Sequence, residues 1–412
     1  MLIRALLAPR TRKKSLVHKT PSVRRTTLGP LAGLAGRGGC KLVAWGWLGG
    51  VGLGMSMLSR IRLKRRRLLK WLGGTALGGG VMVVGRDEWL SAGPGWKGPV
   101  SDHFDGRVFF NPWGAAKKSS AEVWKWRFTR KPVAWPGEAG GLEEPALGAV
   151  VGSEGTAVTL VGHATWLIQI GGMNILTDPV WSERCSPVSW AGPKRVRRPA
   201  IGFESLPKID VVLLSHNHYD HLDVATLKRV VDRWSPWVVT GLGNRAFLEG
   251  KGMPGAVELD WWERRELGGL GVTFTPAQHW SNRGGHGLNA TLWGGFVVEA
   301  GGVRVYFAGD TGYAPFFGTI RERCGAPDLA LLPIGAYEPR WFMATMHMNP
   351  EEAVRAHGEL GAKRSLGMHY GTWQLTDEGM EQPVTDLAAA RAAVGLSEEG
   401  FGAGVFGRTV VV

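Results

Sequence analysis

The 412-residue sequence predicts a layered α/β fold, and three observations carry that reading. From Thr156 onward the chain becomes a series of short aliphatic runs separated by turn residues, which read as strands. Helical stretches fall between them, at about 225–234 and 350–360. One run, Asp210-Val211-Val212-Leu213-Leu214-Ser215, leads directly into His216-Asn217-His218-Tyr219-Asp220-His221. That hexapeptide is too polar to continue a buried strand, so it sits on the loop leaving it.

The first element in the chain is an arm. No Asp or Glu precedes Asp87, whereas residues 1–86 hold 18 Lys and Arg, leaving 31 basic and 35 acidic residues for the rest. The net charge of +14 therefore belongs to the arm, and the slightly acidic body argues against nucleic acid as a partner. Residues 1–41 have the composition of an organelle transit peptide. Residues 42–59 carry no charge, are just long enough to span a bilayer, and place Gly46, Gly50 and Gly54 at small-xxx-small spacing. The basic cluster from Arg60 to Lys70 suits an anionic lipid surface. Residues 1–86 are thus expected to form a basic and apolar arm for targeting and membrane anchoring.

Residues 87–150 read as a linker and lead-in, with one helix expected over 121–130, ended before Pro132. Trp124 and Phe128 would share a face of it and pack on the main domain. That domain is expected over 151–412. Its strands are expected at 157–161, 166–170, 174–177, 237–240, 272–275, 294–300, 303–308 and 329–333, with a hairpin turn at Gly171-Gly172. In the helix at 350–360, Pro350 occupies the first turn, and Glu351 and Glu352 complement the N-terminal dipole. No internal repeat is evident. The three cysteines, Cys40, Cys185 and Cys324, form no framework, which favours a reducing compartment.

The chemistry lies in the hexapeptide. His216 and His218 point the same way in an extended chain and can grip one metal ion; Asp220 and His221, after the turn, can grip a second. Three later strand ends supply what two ions still need. His279 would complete the first site, His369 the second, and Asp310 would bridge them with its two oxygens. Imidazole and carboxylate donors with open positions suit two zinc ions (Zn2+), hence a hydrolase that generates its own hydroxide. His163 and Asp178 are expected to orient the ligating imidazoles.

These residues resemble the metallo-β-lactamase superfamily, whose signature is HxHxDH followed by separated His, Asp and His ligands. Longer runs narrow the resemblance. Gly162-His163-Ala164-Thr165, Pro276-Ala277-Gln278-His279-Trp280, Phe307-Ala308-Gly309-Asp310-Thr311-Gly312-Tyr313 and, above all, the run 334–343 are similar to the N-acyl-phosphatidylethanolamine-hydrolysing phospholipase D branch. The similarity covers roughly residues 105–385. It implies an αββα sandwich with a di-zinc site at one sheet edge, and hydrolysis of N-acyl-phosphatidylethanolamine to N-acylethanolamine and phosphatidic acid. It implies substrate contacts at Tyr219 and at Met346-His347. Met346 replaces the family's glutamine and so removes an amide hydrogen-bonding group. Tyr370 stands where tryptophan is familiar.

The implied mechanism is attack of activated water on phosphorus, with Asp220 and Asp310 flanking the water and His347 protonating the leaving alkoxide. The basic run Lys194-Arg195-Val196-Arg197-Arg198 is expected to be a solvated loop or a contact for lipid phosphates, with Trp181 and Trp190 beside it. Trp261-Trp262 reads as interfacial or as core. The expected partners are the phospholipid substrate and a membrane surface, with a homodimer admitted and no nucleic acid. A membrane-associated, mitochondrial location follows, with the inner membrane as a guess. Two other functions compete. One is a hydrolase of this fold acting on a soluble ester, lactone or phosphodiester; the other is a catalytically silent, membrane-tethered lipid-binding protein.

Overall fold

The computed structural model describes residues 93–114, 118–143, 155–284 and 287–412. The expected arm (1–86) and its apolar stretch 42–59 lie outside the described residues. Among those described, no helix is long and apolar enough to cross a membrane.

A short helix, α1 (Ser120–Thr129), precedes the sheets. The first half then follows as β1 (Thr156–Gly162), β2 (Thr165–Ile170), β3 (Met173–Thr177), β4 (Val211–Leu214), α2 (Val224–Trp234), β5 (Trp237–Gly241), α3 (Arg245–Gly250) and β6 (Val257–Leu259). The second half comprises β7 (Arg264–Leu267), β8 (Leu270–Thr275), β9 (Gly295–Ala300), β10 (Val303–Phe307), α4 (Phe317–Cys324), β11 (Leu329–Pro333), α5 (Arg340–Met343), α6 (Pro350–Leu360), β12 (Arg364–Met368), α7 (Gln382–Val394) and β13 (Phe401–Ala403). The last strand, β14 (Thr409–Val411), returns to the first half.

The strands form two seven-stranded sheets, ordered β14-β1-β2-β3-β4-β5-β6 and β13-β12-β11-β10-β9-β8-β7. Each sheet joins an antiparallel meander (β14 to β3; β7 to β10) to a parallel run (β3 to β6; β10 to β13). The topology thus repeats where the sequence shows no repeat, because strand pairing constrains hydrophobic spacing and not residue identity.

Side-chain alternation along the strands builds four layers. On β4, Val211 and Leu213 enter the core between the sheets, with Val272, Phe274, Phe296, Val298 and Phe307. Val212 and Leu214 point the other way, against Leu227 and Val230 of α2 and Phe247 and Leu248 of α3. Ala353, Ala356 and Leu360 of α6 and Leu387 of α7 cover the far face of the second sheet. Each large side chain so buried contributes roughly 1.5–3 kcal/mol. The result is the αββα arrangement. Helix α6 is delimited by an Asn349–Glu352 capping box, Pro350 in its first turn and Gly361 in the left-handed region.

The pairing pattern also fixes direction. β1, β3 and β4 run the same way, and so do β8, β10 and β12. The loops that follow them all leave at the C-terminal ends of parallel strands, where α/β sheets gather their functional groups.

Several expectations are corrected. Residues 93–114 are no linker: Phe104 and Phe109 are fully buried in the main core, and His103 bonds both Asp102 (2.6 Å) and Asp260 (2.7 Å). Trp124 and Phe128 do not pack on the domain; they are 60% and 78% exposed. The basic run is neither a solvated loop nor a lipid contact at its two central arginines, since both are buried. Arg195 donates to the carbonyls of Ser182 and Val180, and Arg197 to those of Gly140 and Gly371, because buried guanidinium groups need several acceptors. Trp181 donates its indole N–H to the Ile201 carbonyl and packs edge-on to Phe203, and Trp261 is buried. Elements of modest periodicity were not legible at all, among them β6, β7, β13, β14, α4 and α7.

Candidate metal centre

The site is assembled from single residues just beyond strand ends. β4 ends at Leu214, and Ser215 donates its hydroxyl to Asp178 Oδ2 (2.6 Å) and its N–H to Asp178 Oδ1 (2.8 Å). With its hydroxyl proton so committed, Ser215 Oγ can only accept at its 2.9 Å contact with His216 Nδ1, which leaves His216 Nε2 bare. His221 Nδ1 lies 2.7 Å from Asp178 Oδ2 and His279 Nδ1 lies 3.0 Å from the Met346 carbonyl. Both imidazoles can donate there, which turns each Nε2 inward.

The bare nitrogens converge. His216 Nε2 lies 2.8 Å from His218 Nδ1, which lies 3.3 Å from His279 Nε2. A second set forms around two carboxylates. Asp310 Oδ2 is 3.1 Å from His221 Nε2 and 3.0 Å from His369 Nε2, while Asp220 Oδ2 is 3.5 Å from each. Asp310 Oδ2 also lies 3.8 Å from His279 Nε2, so one oxygen touches both sets. The structure therefore brings all seven expected ligands together. His221 Nε2 and His369 Nε2 are buried and find no hydrogen-bond geometry despite these short distances. Ring nitrogens and carboxylate oxygens gathered this closely fit a cation held between them.

Backbone strain collects at the same edge. His163, Asp178 and His369 all have positive φ (54°, 34° and 63°), uncommon for side chains other than glycine. Gly309, at φ 61°, precedes Asp310; a Cβ there would fall 2.7 Å from Ser215 Cβ and 2.9 Å from the Gly294 carbonyl oxygen. Only glycine lets β10 end this close to the β4 loop.

The two sets differ electrostatically. Burial lowers the pKa of His216 well below 6.5, that of His218 to about 3 and that of His279 to about 4, so the first set is neutral. In the second, burial opposes ionisation everywhere but the groups charge one another. Burial would raise Asp220 and Asp310, yet His221 foremost among their neighbours holds both well below the usual carboxylate range. Burial would lower His221 and His369, yet Asp310 foremost raises His221 well above its normal value and His369 to about 9.

The remaining expected residues are placed as follows. His163 Nε2 contacts Asp220 Oδ2 at 3.1 Å, and Asp178 holds His221 and Ser215 as described. His347 stacks on His369, abuts His279 edge-on and reaches within 4.0 Å of Asp310 Oδ2. Its Nδ1 is buried without a hydrogen-bond partner, and burial lowers its pKa well below 6.5. Tyr219 donates to the Arg283 carbonyl (3.3 Å) under the Arg283 guanidinium, beside a cavity of about 430 Å³. Arg283 also bonds the carbonyls of Asn217 and Leu222 and so clamps the metal-binding loop. Sequence reasoning missed Arg283, Ser215 and the Met346 carbonyl. Only Ser215 carried a signal, its place between strand and motif; a backbone carbonyl carries none.

Known proteins are similar to this chain over the stretch that carries these residues. A family model described as the β-lactamase superfamily domain matches residues 173–370, from β3 through His369. An N-acyl-phosphatidylethanolamine-hydrolysing phospholipase D of Caenorhabditis elegans is 43% identical over 54% of this chain and 65% of its own length. The mitochondrial enzyme of that name from Saccharomyces cerevisiae is 36% identical over 55% of this chain and 51% of its own length. The chain thus spans less than two thirds of these two curated relatives. A metal-dependent hydrolase of Rubrobacter xylanophilus is 33% identical over 57% of this chain and 90% of its own length. Among solved structures, a possible metal-dependent hydrolase of Veillonella parvula superposes with a TM-score of 0.52 at 16% identity, over 63% of this chain and all of that one, which shows the shared fold. With the fold, the ligand edge and these relatives in view, the chain belongs to the metal-dependent hydrolases of the β-lactamase superfamily.

Proposed function

We propose that this protein is a di-zinc phosphodiesterase that hydrolyses N-acyl-phosphatidylethanolamine to N-acylethanolamine and phosphatidic acid. The observation that carries the reading is the position of Asp310 Oδ2, within 3.8 Å of donor nitrogens from both histidine sets. Identity of 43% to a relative of that activity supports the substrate.

His216, His218 and His279 would hold one ion, Asp220, His221 and His369 the other, and Asp310 both. Bound there, two divalent ions would lower the pKa of water and neutralise charge growing on a phosphoryl group. The chain's own residues do the rest. Asp178 and His163 keep His221 and Asp220 aimed inward. Arg283 holds the loop from Asn217 to Leu222 in place and braces Tyr219 against one wall. His347 is the candidate proton donor to the leaving alkoxide. Its buried imidazole is neutral, so it takes up the proton it delivers only when an anionic phosphate sits beside it. The partner is a membrane surface. The acid-free arm and a mitochondrial yeast relative support a mitochondrial location.

The test is incubation of the purified chain with vesicles containing N-acyl-phosphatidylethanolamine. Chelator should abolish N-acylethanolamine release, and Asp310→Asn should lower it by at least about 10²–10³-fold, the scale of losing one pre-aligned electrostatic group. Release that survives both treatments would refute the reading.

A further inference from the structure

Two adjacent tryptophans go different ways. Trp261 is buried in the core. Trp262 has φ 73°, in the left-handed region that a bulky side chain rarely adopts, and lines a surface cavity of about 560 Å³. Strain of this kind persists only where the surrounding structure holds it, and it collects at ligand sites. The cavity lies on the outer face of the second sheet. Strand pairing sets Arg264 opposite Thr273, Thr273 opposite Val297 and Glu299 opposite Arg304, so these five side chains share that face. The end of α4 adds Arg323 and Cys324.

Three guanidinium groups thus converge from β7, β10 and α4 against one lining carboxylate. Glu299 lies 3.4 Å from Arg264 and 3.3 Å from Arg304 and is shared between them. Arg264 also pairs with Glu266 at 2.8 Å, which leaves one positive charge in excess. That charge resides on Arg323, which forms no ion pair among the described residues and lies over the Trp262 ring at 4.5 Å. Arg304 gives one donor to the Ala326 carbonyl (3.2 Å), while its Nε is buried without an acceptor among the described residues. A buried donor left unmet costs free energy and calls for a partner. Burial raises the Cys324 thiol above its ordinary pKa, so it adds no negative charge.

The lining selects the ligand. Guanidinium forks match the oxygens of a phosphate, two at a time. An indole face beside them accepts a flat ring. The volume is that of a small-molecule site. The position is remote from the metal centre: Arg304 is the second residue of β10, whereas Asp310 follows the other end of that strand, six residues and roughly 20 Å along the chain. We propose that the outer face of the second sheet carries an anion site for a small phosphate monoester bearing a flat ring, the chemical class of a nucleoside monophosphate. Its phosphate takes Arg304 and Arg323, and its ring replaces the Arg323 guanidinium on Trp262.

The test is titration calorimetry of the metal-loaded full chain with adenosine 5′-monophosphate, inorganic phosphate and adenosine in turn. The monophosphate should bind more tightly than either fragment. Arg304→Gln with Arg323→Gln should weaken it by at least about tenfold, the scale of losing charge-assisted hydrogen bonds. Trp262→Gly keeps the positive φ without the ring, and should weaken the monophosphate several-fold while leaving inorganic phosphate unchanged. A phosphate can also reach a metal centre, so Asp310→Asn is the control and should leave monophosphate affinity within about twofold. Amide exchange followed by mass spectrometry should slow over 262–266 and 320–325 on binding, with exchange in β4 unchanged in every variant. Weakening by Asp310→Asn as large as that from the arginine pair would overturn the proposal by placing the ligand at the metals. No binding at millimolar monophosphate, or protection confined to the metal edge, would overturn it too.

Discussion

The two sheets share one strand pattern, yet they furnish the metal edge in opposite ways. The first contributes four donors, His216, His218, Asp220 and His221, from a single loop after β4. The second contributes three, His279, Asp310 and His369, each from a different strand end. The first group can be arranged by closing one short loop; the second exists only when β8, β10 and β12 are aligned across the sheet. Half of the site is therefore local and half is a product of the whole fold. Metal binding should stabilise the second sheet in particular, since ion affinity is gained only where the ligands are already assembled.

The supports for the ligands differ as well. In the first half a buried side chain, Asp178, holds His221 and, through Ser215, His216. In the second, His279 is held by the Met346 backbone carbonyl. Asp178→Asn should therefore lower metal affinity by about 10–100-fold, measured by chelator competition, because an amide keeps one acceptor oxygen where the carboxylate has two. Met346→Gln leaves the carbonyl in place and should change metal affinity by less than about twofold. Equal losses from the two substitutions would erase the distinction.

Protonation sharpens the contrast. His216, His218 and His279 are neutral near pH 7 and have no proton to give up. His221 and His369, with raised pKa values, are charged there and must lose their protons to bind an ion. Loading the second position should release about two protons at neutral pH, and loading the first none, as read by calorimetry in buffers of different ionisation enthalpy. The affinity of the second position should fall as pH drops, since protons compete for its nitrogens. Saturation with no proton release would contradict this charge assignment.

The smallest predicted effect concerns the segment that precedes the sheets. Burial lowers the pKa of His103, but Asp260 and Asp102 outweigh it and raise the value above 6.5. A folded value above the unfolded one means that the stabilisation is complete below the unfolded pKa and is lost as pH rises through the folded value. His103→Gln should cost about 1 kcal/mol near pH 6, discounted for the exposure of Asp102, and much less near pH 9, as measured by urea denaturation.

How far the site could be read without coordinates follows the same division. The hexapeptide was legible because its four donors are neighbours in sequence and stand at the end of an unmistakable buried strand. His279, Asp310 and His369 were legible only as strand ends able to supply what the hexapeptide left unmet, since nothing local distinguishes them from hydrogen-bonded structural residues. The arginines Arg195 and Arg197 were misread because a basic run looks the same whether water or backbone carbonyls receive its protons. Trp124 and Phe128 were misread because helical spacing defines a face and not what covers it.

The order of residues settled local matters: strand and helix periods, capping at Asn349, the charge divide at Asp87 and one cluster of donors. Folding alone decided which nitrogen of each histidine is bare, which oxygen of Asp310 spans the two sets, and which aromatic rings stay in water. Those features depend on partners far away along the chain, and a polar atom's role is set by the groups that reach it in space.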